Sequence, residues 1–126
     1  MIILEIILLA FTIFSEALHE SLTGKLAVAS VITNRVESHK FADNYIDVIL
    51  QPKQFSCFNS FDIIYGNLAK IEKRRTDWII SLIIATAYVN GDAKPILKSK
   101  HYTRKEVKRS WMSQMTVETE IGNHKY

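Results

Sequence analysis

The chain has 126 residues, 48% apolar and 23% charged, the balance of an ordinary folded domain rather than a disordered or low-complexity one. Its single cysteine, Cys57, excludes an internal disulfide and a zinc site built on cysteine pairs, and is read as a small, partly buried apolar side chain. A formal charge of +3 suits an anionic partner without choosing among nucleic acid, anionic lipid and an acidic polymer.

Residues 2–18 hold mostly strong helix formers with no Gly or Pro, which predicts a helix. Its surface is apolar almost all round, which predicts a central helix wrapped by others. Glu5 stands where a signal peptide would carry Lys or Arg. The apolar run is also shorter than the roughly 20 residues a membrane span needs. The segment is therefore read as a core helix, with a signal-anchor as the alternative, and no stable membrane span is expected.

Ser21 offers an N-cap for a second helix running to about Val36, with Leu22, Leu26, Ala29, Ile32 or Thr33, and Val36 on one stripe. Segment 37–43 is polar loop. Residues 44–50 suggest a short helical turn ended before Pro52. Gln54 to Phe58 alternates polar and apolar, consistent with a short strand or an extended loop. Residues 61–73 are ambiguous, with Gly66-Asn67 as a candidate break. Residues 76–90 predict a helix capped by Thr76 or Asp77, with Trp78, Leu82, Ala85 and Val89 on one face and Gly91 after its end.

Beyond Pro95 the composition changes. Lys100 to Arg104 and Gln114 to Thr119 carry β-branched and aromatic residues, and Ile121-Gly122-Asn123-His124 is a turn signal before the final Tyr126. The reading is α+β: a helical body followed by a small C-terminal β region, one domain over 1–126, with no repeats. Basic residues cluster at Lys70, Lys73, Arg74 and Arg75. A second cluster is Lys98, Lys100, Arg104, Lys105, Lys108 and Arg109, where Glu106 is the only acid. A solvated face is the default reading of both.

Four segments, in order, resemble the SleB-type cell wall hydrolases, the family of the spore cortex-lytic enzymes, which has members in phages. They are Ser15-Glu16-Ala17-Leu18-His19-Glu20; the run from Gly24 to Asn34-Arg35-Val36; Val48-Ile49 through Gln51-Pro52 to Gln54-Phe55-Ser56; and His101-Tyr102, Trp111 and Ile121-Gly122-Asn123-His124. The resemblance spans about residues 4–126. It implies a lysozyme-like fold and cleavage of the glycan strand of peptidoglycan, in the manner of a lytic transglycosylase. It also implies action at the cell wall, in a periplasm or outside the cell. The chain departs from the family pattern at Leu18-His19, where Arg-Gly is common, and over residues 59–75, which match poorly and are unusually basic.

Glycosidic cleavage needs a proton donor to the departing oxygen, and at neutral pH that donor is a carboxyl group of raised pKa. Glu16, at the end of an apolar helix between Ile13, Phe14 and Ala17, fits that role, and the resemblance assigns it as the catalytic acid. Glu20, a candidate substrate-binding residue, is read either as a neighbouring charge that helps keep Glu16 protonated or as a structural acceptor of backbone N–H groups at the start of the next helix. His101, Tyr102 and Trp111 are candidate cleft residues, because sugars stack on aromatic rings. Asn123 and His124 are candidates either for substrate contact or for fixing a hairpin. Asn34 and Arg35 are read as structural. Glu16-x-x-His19 has the spacing of a carboxylate-bridged metal motif but lacks its second copy, and no metal or other cofactor is expected. The expected partner is the peptidoglycan glycan strand, met by a monomer, with no nucleic acid. Two other functions compete. An N-acetylmuramoyl-L-alanine amidase would want clustered zinc ligands, whereas His19, His39, His101 and His124 are scattered. A basic nucleic-acid-binding module would explain the charge clusters and leave the Glu16 segment without a purpose.

Overall fold

The structure is a computed structural model that describes residues 2–51, 54–105 and 115–126. Helix α1 spans Ile2–Glu16 and α2 spans Leu22–Ser38. A short α3, Tyr45–Ile49, and a 3₁₀ turn, Ser56–Phe58, precede α4 (Phe61–Lys73) and α5 (Arg75–Val89). Ser21 caps α2 as its sequence predicts, its Oγ accepting from the Gly24 amide at 3.2 Å. Two other expectations are corrected. Residues 61–73 form one unbroken helix, capped by Ser60 Oγ on the Ile63 amide; nothing crowds Gly66, so it costs propensity without breaking the turn. Helix α5 starts at Arg75, ahead of Thr76 and Asp77, and no side chain caps its first amides. Asp77 is instead drawn into ion pairs in the first turn.

The expected central helix is central only in its second half. Leu9 to Phe14 are buried, whereas Ile2, Ile3, Leu4 and Ile7 are exposed. The buried half packs most heavily on α5, where Phe14 meets Trp78 edge-on with ring centroids 5.8 Å apart. At about 1.5 Å per residue α1 is about 22 Å long, short of the roughly 30 Å of a bilayer core. Among the described residues no helix is long and apolar enough to cross a membrane.

The core is tied together by small hydroxyls. Ser30 Oγ lies 3.1 Å from the Tyr88 hydroxyl and accepts from the Ile96 amide at 2.9 Å, so one residue on α2 joins α5 to the chain beyond it. Further along α2, Asn34 Nδ2 donates to the carbonyls of Leu97 and Ser99 at 2.8 and 2.9 Å. Arg35 Nε donates to the Lys100 carbonyl at 2.6 Å, and its Nη1 donates to Gln54 Oε1 at 2.8 Å. The guanidinium is buried between the rings of Phe41 and Phe55. These bonds fix where the β region starts.

That region is a small antiparallel sheet of β1 (Thr103–Arg104), β2 (Glu120–Ile121) and β3 (His124–Lys125), in the order β1-β3-β2. Thr103 faces Lys125, and Ile121 faces His124 across a tight turn. Gly122 turns the hairpin at φ +56°, a conformation that favours glycine. The strand expected over 114–119 does not form in the described part. Residues 115–118 are exposed, so their β-branched side chains have no face to bury. Leu97 and Tyr126 pack on Ala27 and Val31 of α2 in a second small core, which Tyr102 and Ile121 border.

The least expected core residue is Lys25, only 3% exposed. Its ammonium donates to the carbonyls of Ala17 and Glu20 at 2.9 and 2.8 Å and lies 3.6 Å from Asp77 Oδ1. It thereby serves the free carbonyls just beyond the C-terminus of α1, where no Gly stands to end the helix. Lys25→Met keeps the stem and removes the charge, leaving the Glu20 carbonyl without that donor, the Ala17 carbonyl with the Glu20 amide alone and Asp77 with Arg74 alone. The expected loss is about 3 kcal/mol of stability in urea unfolding; a loss under about 1 kcal/mol would show that the ammonium does not hold the end of α1.

Candidate active site

Glu16 is the last residue of α1. The chain turns away immediately after it, through Glu20 N–H to the Ala17 carbonyl at 3.1 Å, with the Lys25 ammonium on the same oxygen. Its carboxyl therefore projects from a fixed helix end beside the 3₁₀ turn. Burial raises its pKa from 4.5 to about 6, against the opposing effect of a hydrogen bond from the Ser56 backbone. The sequence held that a short strand or extended loop runs through 54–58; the 3₁₀ turn replaces it, and so sets the Ser56 backbone against Glu16. Two further groups register the same carboxylate. Burial, and then the charge of Glu16, pushes the Cys57 thiol up to about 12. The same two causes, in that order, hold the Tyr102 phenol well above its usual value. Cys57 therefore stays a neutral thiol at physiological pH.

Tyr102 also lines a cavity of about 370 Å³, whose walls include Lys100, His101, Met115, Val117, Lys125 and Tyr126. Glu16 is not among the lining residues. Tyr102 is thus common to both: it lines the cavity and it responds to the Glu16 charge. His101 is half-buried, edge-on to Phe41 at 5.9 Å. Its pKa is lowered by burial, then by the charges of Arg35 and Lys100, which favours the neutral ring.

Glu20 accepts a backbone amide, as its structural reading expects, but from the C-terminal hairpin and not from the start of α2. The Gly24 amide is capped by Ser21, and the Glu20 side chain is 7% exposed and turned toward the C-terminal hairpin. Its Oε1 lies 2.8 Å from His124 Nδ1 and accepts the Asn123 amide at 3.0 Å. A Cβ on Gly122 would lie 2.3 Å from its Oε2, so only glycine lets the carboxylate lie against the turn. His124 in turn stands edge-on to Tyr102 at 5.3 Å, and Tyr126 lies 5.7 Å from Tyr102. Glu20, Asn123 and His124 thus form one clasp that positions Tyr102. Trp111, Lys108 and Arg109 lie outside the described residues.

The sequence reading missed Lys25 and Glu118. Lys25 could have been found from its spacing with Val28, Ala29 and Ile32, all buried, which puts it on the inward stripe of α2. Glu118 accepts the amides of Lys98 and Ser99 at 3.0 and 2.8 Å and the Ser99 hydroxyl at 2.6 Å, clipping one cavity wall to the other. These bonds hold its carboxyl below the usual range. No local pattern marks such a pairing. Among the described residues, no group of three or more His, Cys, Asp or Glu side chains is gathered to hold a metal ion.

A helical body followed by a small three-stranded sheet makes an α+β fold that carries one glutamate of raised pKa, Glu16. The comparisons carry the assignment further: residues 19–126 match the cell wall hydrolase family, and the chain belongs to that family. The match begins after Glu16, so the role of that residue rests on its geometry. A stretch of 52 residues, 41% of this chain, is 42% identical to the spore cortex-lytic enzyme of Halalkalibacterium halodurans, and the match takes in 16% of that enzyme's length. The catalytic domain of the Bacillus cereus SleB protein superposes with a TM-score of 0.72 at 23% identity, over 96% of this chain and 87% of that one. The catalytic domain of the germination-specific lytic transglycosylase SleB from Bacillus anthracis gives 0.70 at 22% identity, over 96% and 91%. The fold is the one these domains share.

The raised pKa of Glu16 makes a stability prediction. A carboxyl whose folded pKa lies above its unfolded value favours the fold while protonated. That advantage is full below pH 4.5 and is lost as pH rises through about 6. At about 1.4 kcal/mol per unit, ionisation at pH 8 costs about 2 kcal/mol. Glu16→Gln should therefore be more stable than the parent by about that amount at pH 8, with the difference vanishing by pH 4. Urea unfolding at both pH values checks this, and equal stabilities at pH 8 would mean that Glu16 is not desolvated.

Proposed function

We propose that the protein cleaves the glycan strand of peptidoglycan between N-acetylmuramic acid and N-acetylglucosamine as a lytic transglycosylase, with Glu16 as its catalytic acid and then base. The observation that carries this reading is the Glu16 carboxyl, held at a fixed helix end with its pKa raised to about 6. Family membership supplies the cell wall as the place of action, and the printed name of the Bacillus anthracis relative favours the transglycosylase chemistry.

Protonated Glu16 gives its proton to the bridging oxygen as the bond from muramic acid C1 to that oxygen breaks. Positive charge builds at C1, and the substrate's own N-acetyl oxygen stabilises it. The primary hydroxyl of the same muramic acid attacks C1, and ionised Glu16 takes its proton. One bond breaks, one forms, and the acid is restored without water. Hydrolysis would need a second carboxylate about 5–9.5 Å from the first. Glu20, the acid nearest in sequence, is occupied by the hairpin, and Glu118 by the Lys98 and Ser99 amides, which favours the single-acid route. In this reading His101 and Tyr102 touch substrate along the cavity wall, and Glu20, Asn123 and His124 act through Tyr102.

The expected product is an anhydro-muramyl fragment, lighter by one water than a hydrolysis product and lacking a reducible end. Mass spectrometry of digested purified walls should find it, and Glu16→Gln should remove at least about 10³-fold of the rate while staying folded. The rate should fall as pH rises through about 6, because the ionised acid cannot donate. Reducing muramic acid ends would replace the transglycosylase with a hydrolase and keep Glu16. New amino groups on intact strands would overturn both assignments and favour an amidase.

A further inference from the structure

Glycan cleavage as described above uses Glu16, with His101 and Tyr102 touching the glycan, and assigns nothing to the other walls of the 370 Å³ cavity. Its volume lies at the small end of ligand pockets. Its walls combine apolar surface from Met115, Val117 and Tyr126 with the lysines Lys100 and Lys125, and among the described residues no Asp or Glu lines it. Both lysines are half-buried, and neither has an ion-pair partner among the described residues. Glu120 is opposite Lys125 in the hairpin register but forms no ion pair with it. Glu118, on the same wall, is held by backbone amides and faces away from this duty. Burial first, and then the charges of Arg35 and Lys100, lowers the pKa of His101 on the same wall. A half-enclosed apolar pocket with unpaired ammonium groups is built for an organic anion whose body is apolar or amide-like.

We infer that this cavity receives the peptide stem carried by the muramic acid, with Lys100 and Lys125 pairing to a stem carboxylate. The inference rests on the glycan-cleaving assignment of Glu16. The lactyl ether with its peptide is the largest side substituent of that sugar, and Tyr102, which lines the cavity and feels the Glu16 charge, links the cavity to a muramic acid held at Glu16. The amide bonds of the stem can meet Thr103 and Thr116, and its methyl and methylene groups can meet Met115 and Val117. The chain would then be selective for strands that still carry acidic stems.

The test compares two substrates of equal length: glycan strands with their stems, and strands from which an amidase has removed them, leaving the free lactyl acid. The native chain should show kcat/KM about tenfold higher on stem-bearing strands. In the double variant Lys100→Gln, Lys125→Gln, checked for folding by circular dichroism and thermal melt, the ratio should fall to near one, chiefly through KM. Equal rates for the native chain, or a preference that survives both substitutions, would overturn the proposal. A lysine-dependent preference for bare strands would overturn it too and assign the cavity to the lactyl carboxylate. If no glycan is cleaved by the native chain, the glycosidase reading has failed by itself. Titration of a free acidic stem peptide, followed by NMR shifts of the cavity residues, then decides the pocket separately: lysine-dependent shifts support it, and none sink it.

Discussion

Lys25 carries a charge into the core at the place where α1 stops, and the position of the proposed acid depends on it. A helix that ends in Ser-Glu-Ala-Leu, without Gly, needs another donor for its last carbonyls. The ammonium supplies that donor to Ala17 and Glu20 and is itself balanced by Asp77 at the start of α5. Three elements therefore meet at one cation: the end of α1, the first turn of α2 and the first turn of α5. A shift in any of them moves Glu16. The ion pair is costly to bury, and its return is geometric: the helix has one end point and the carboxyl one direction.

Glu20 extends the same arrangement across the molecule. It is held at its carbonyl by Lys25 and at its carboxylate by His124 and the Asn123 amide. A residue four places after the acid thus pins the last strands of the chain, which would otherwise be a short hairpin of marginal stability. The hairpin brings His124 and Tyr126 against Tyr102, and Tyr102 lines the cavity. Because the route is a series of close contacts, a lesion at Gly122 or His124 is felt at Tyr102 before it is felt at Glu16.

What could be read from the sequence was local. Ser21 as a cap, the turn at Gly122-Asn123, the helical body and the small β region all follow from short-range chemistry and appear where their residues put them. Of the segments that carry the family resemblance, Ser56 and Tyr102 act on or feel the Glu16 carboxyl, while Asn34 and Arg35 hold the carbonyls of Leu97, Ser99 and Lys100. Partnerships across the chain were not legible. Glu20 and His124 are 104 positions apart, and nothing near either one indicates that they pair. The exposed first turns of α1 were missed for a similar reason: an all-round apolar pattern says that a helix can be buried, and the length of α5 and α3 beside it decides how much of it is.

The Ser56 backbone bond bears on how one carboxyl can serve in both halves of a reaction. Burial raises the pKa of Glu16, which favours the protonated acid and opposes loss of its proton. The hydrogen bond from Ser56 opposes burial and keeps the value near 6. At neutral pH the two protonation states then differ by about 1.4 kcal/mol, the free energy of one pKa unit. Neither state is trapped. A group that must first give a proton to a leaving oxygen and then take one from an attacking hydroxyl works best when that difference is small, because energy saved in one step is owed in the other. The 3₁₀ turn sets this balance through its position. Phe55 and Cys57 are buried on either side of Ser56, so the backbone there cannot retreat when the charge on Glu16 appears. The donor is in place before ionisation and needs no reorganisation to stabilise it. In a single-acid mechanism that fixed turn supplies part of what a second carboxylate and a water molecule supply elsewhere: a site in which the charged intermediate form of the catalyst is already solvated by the protein.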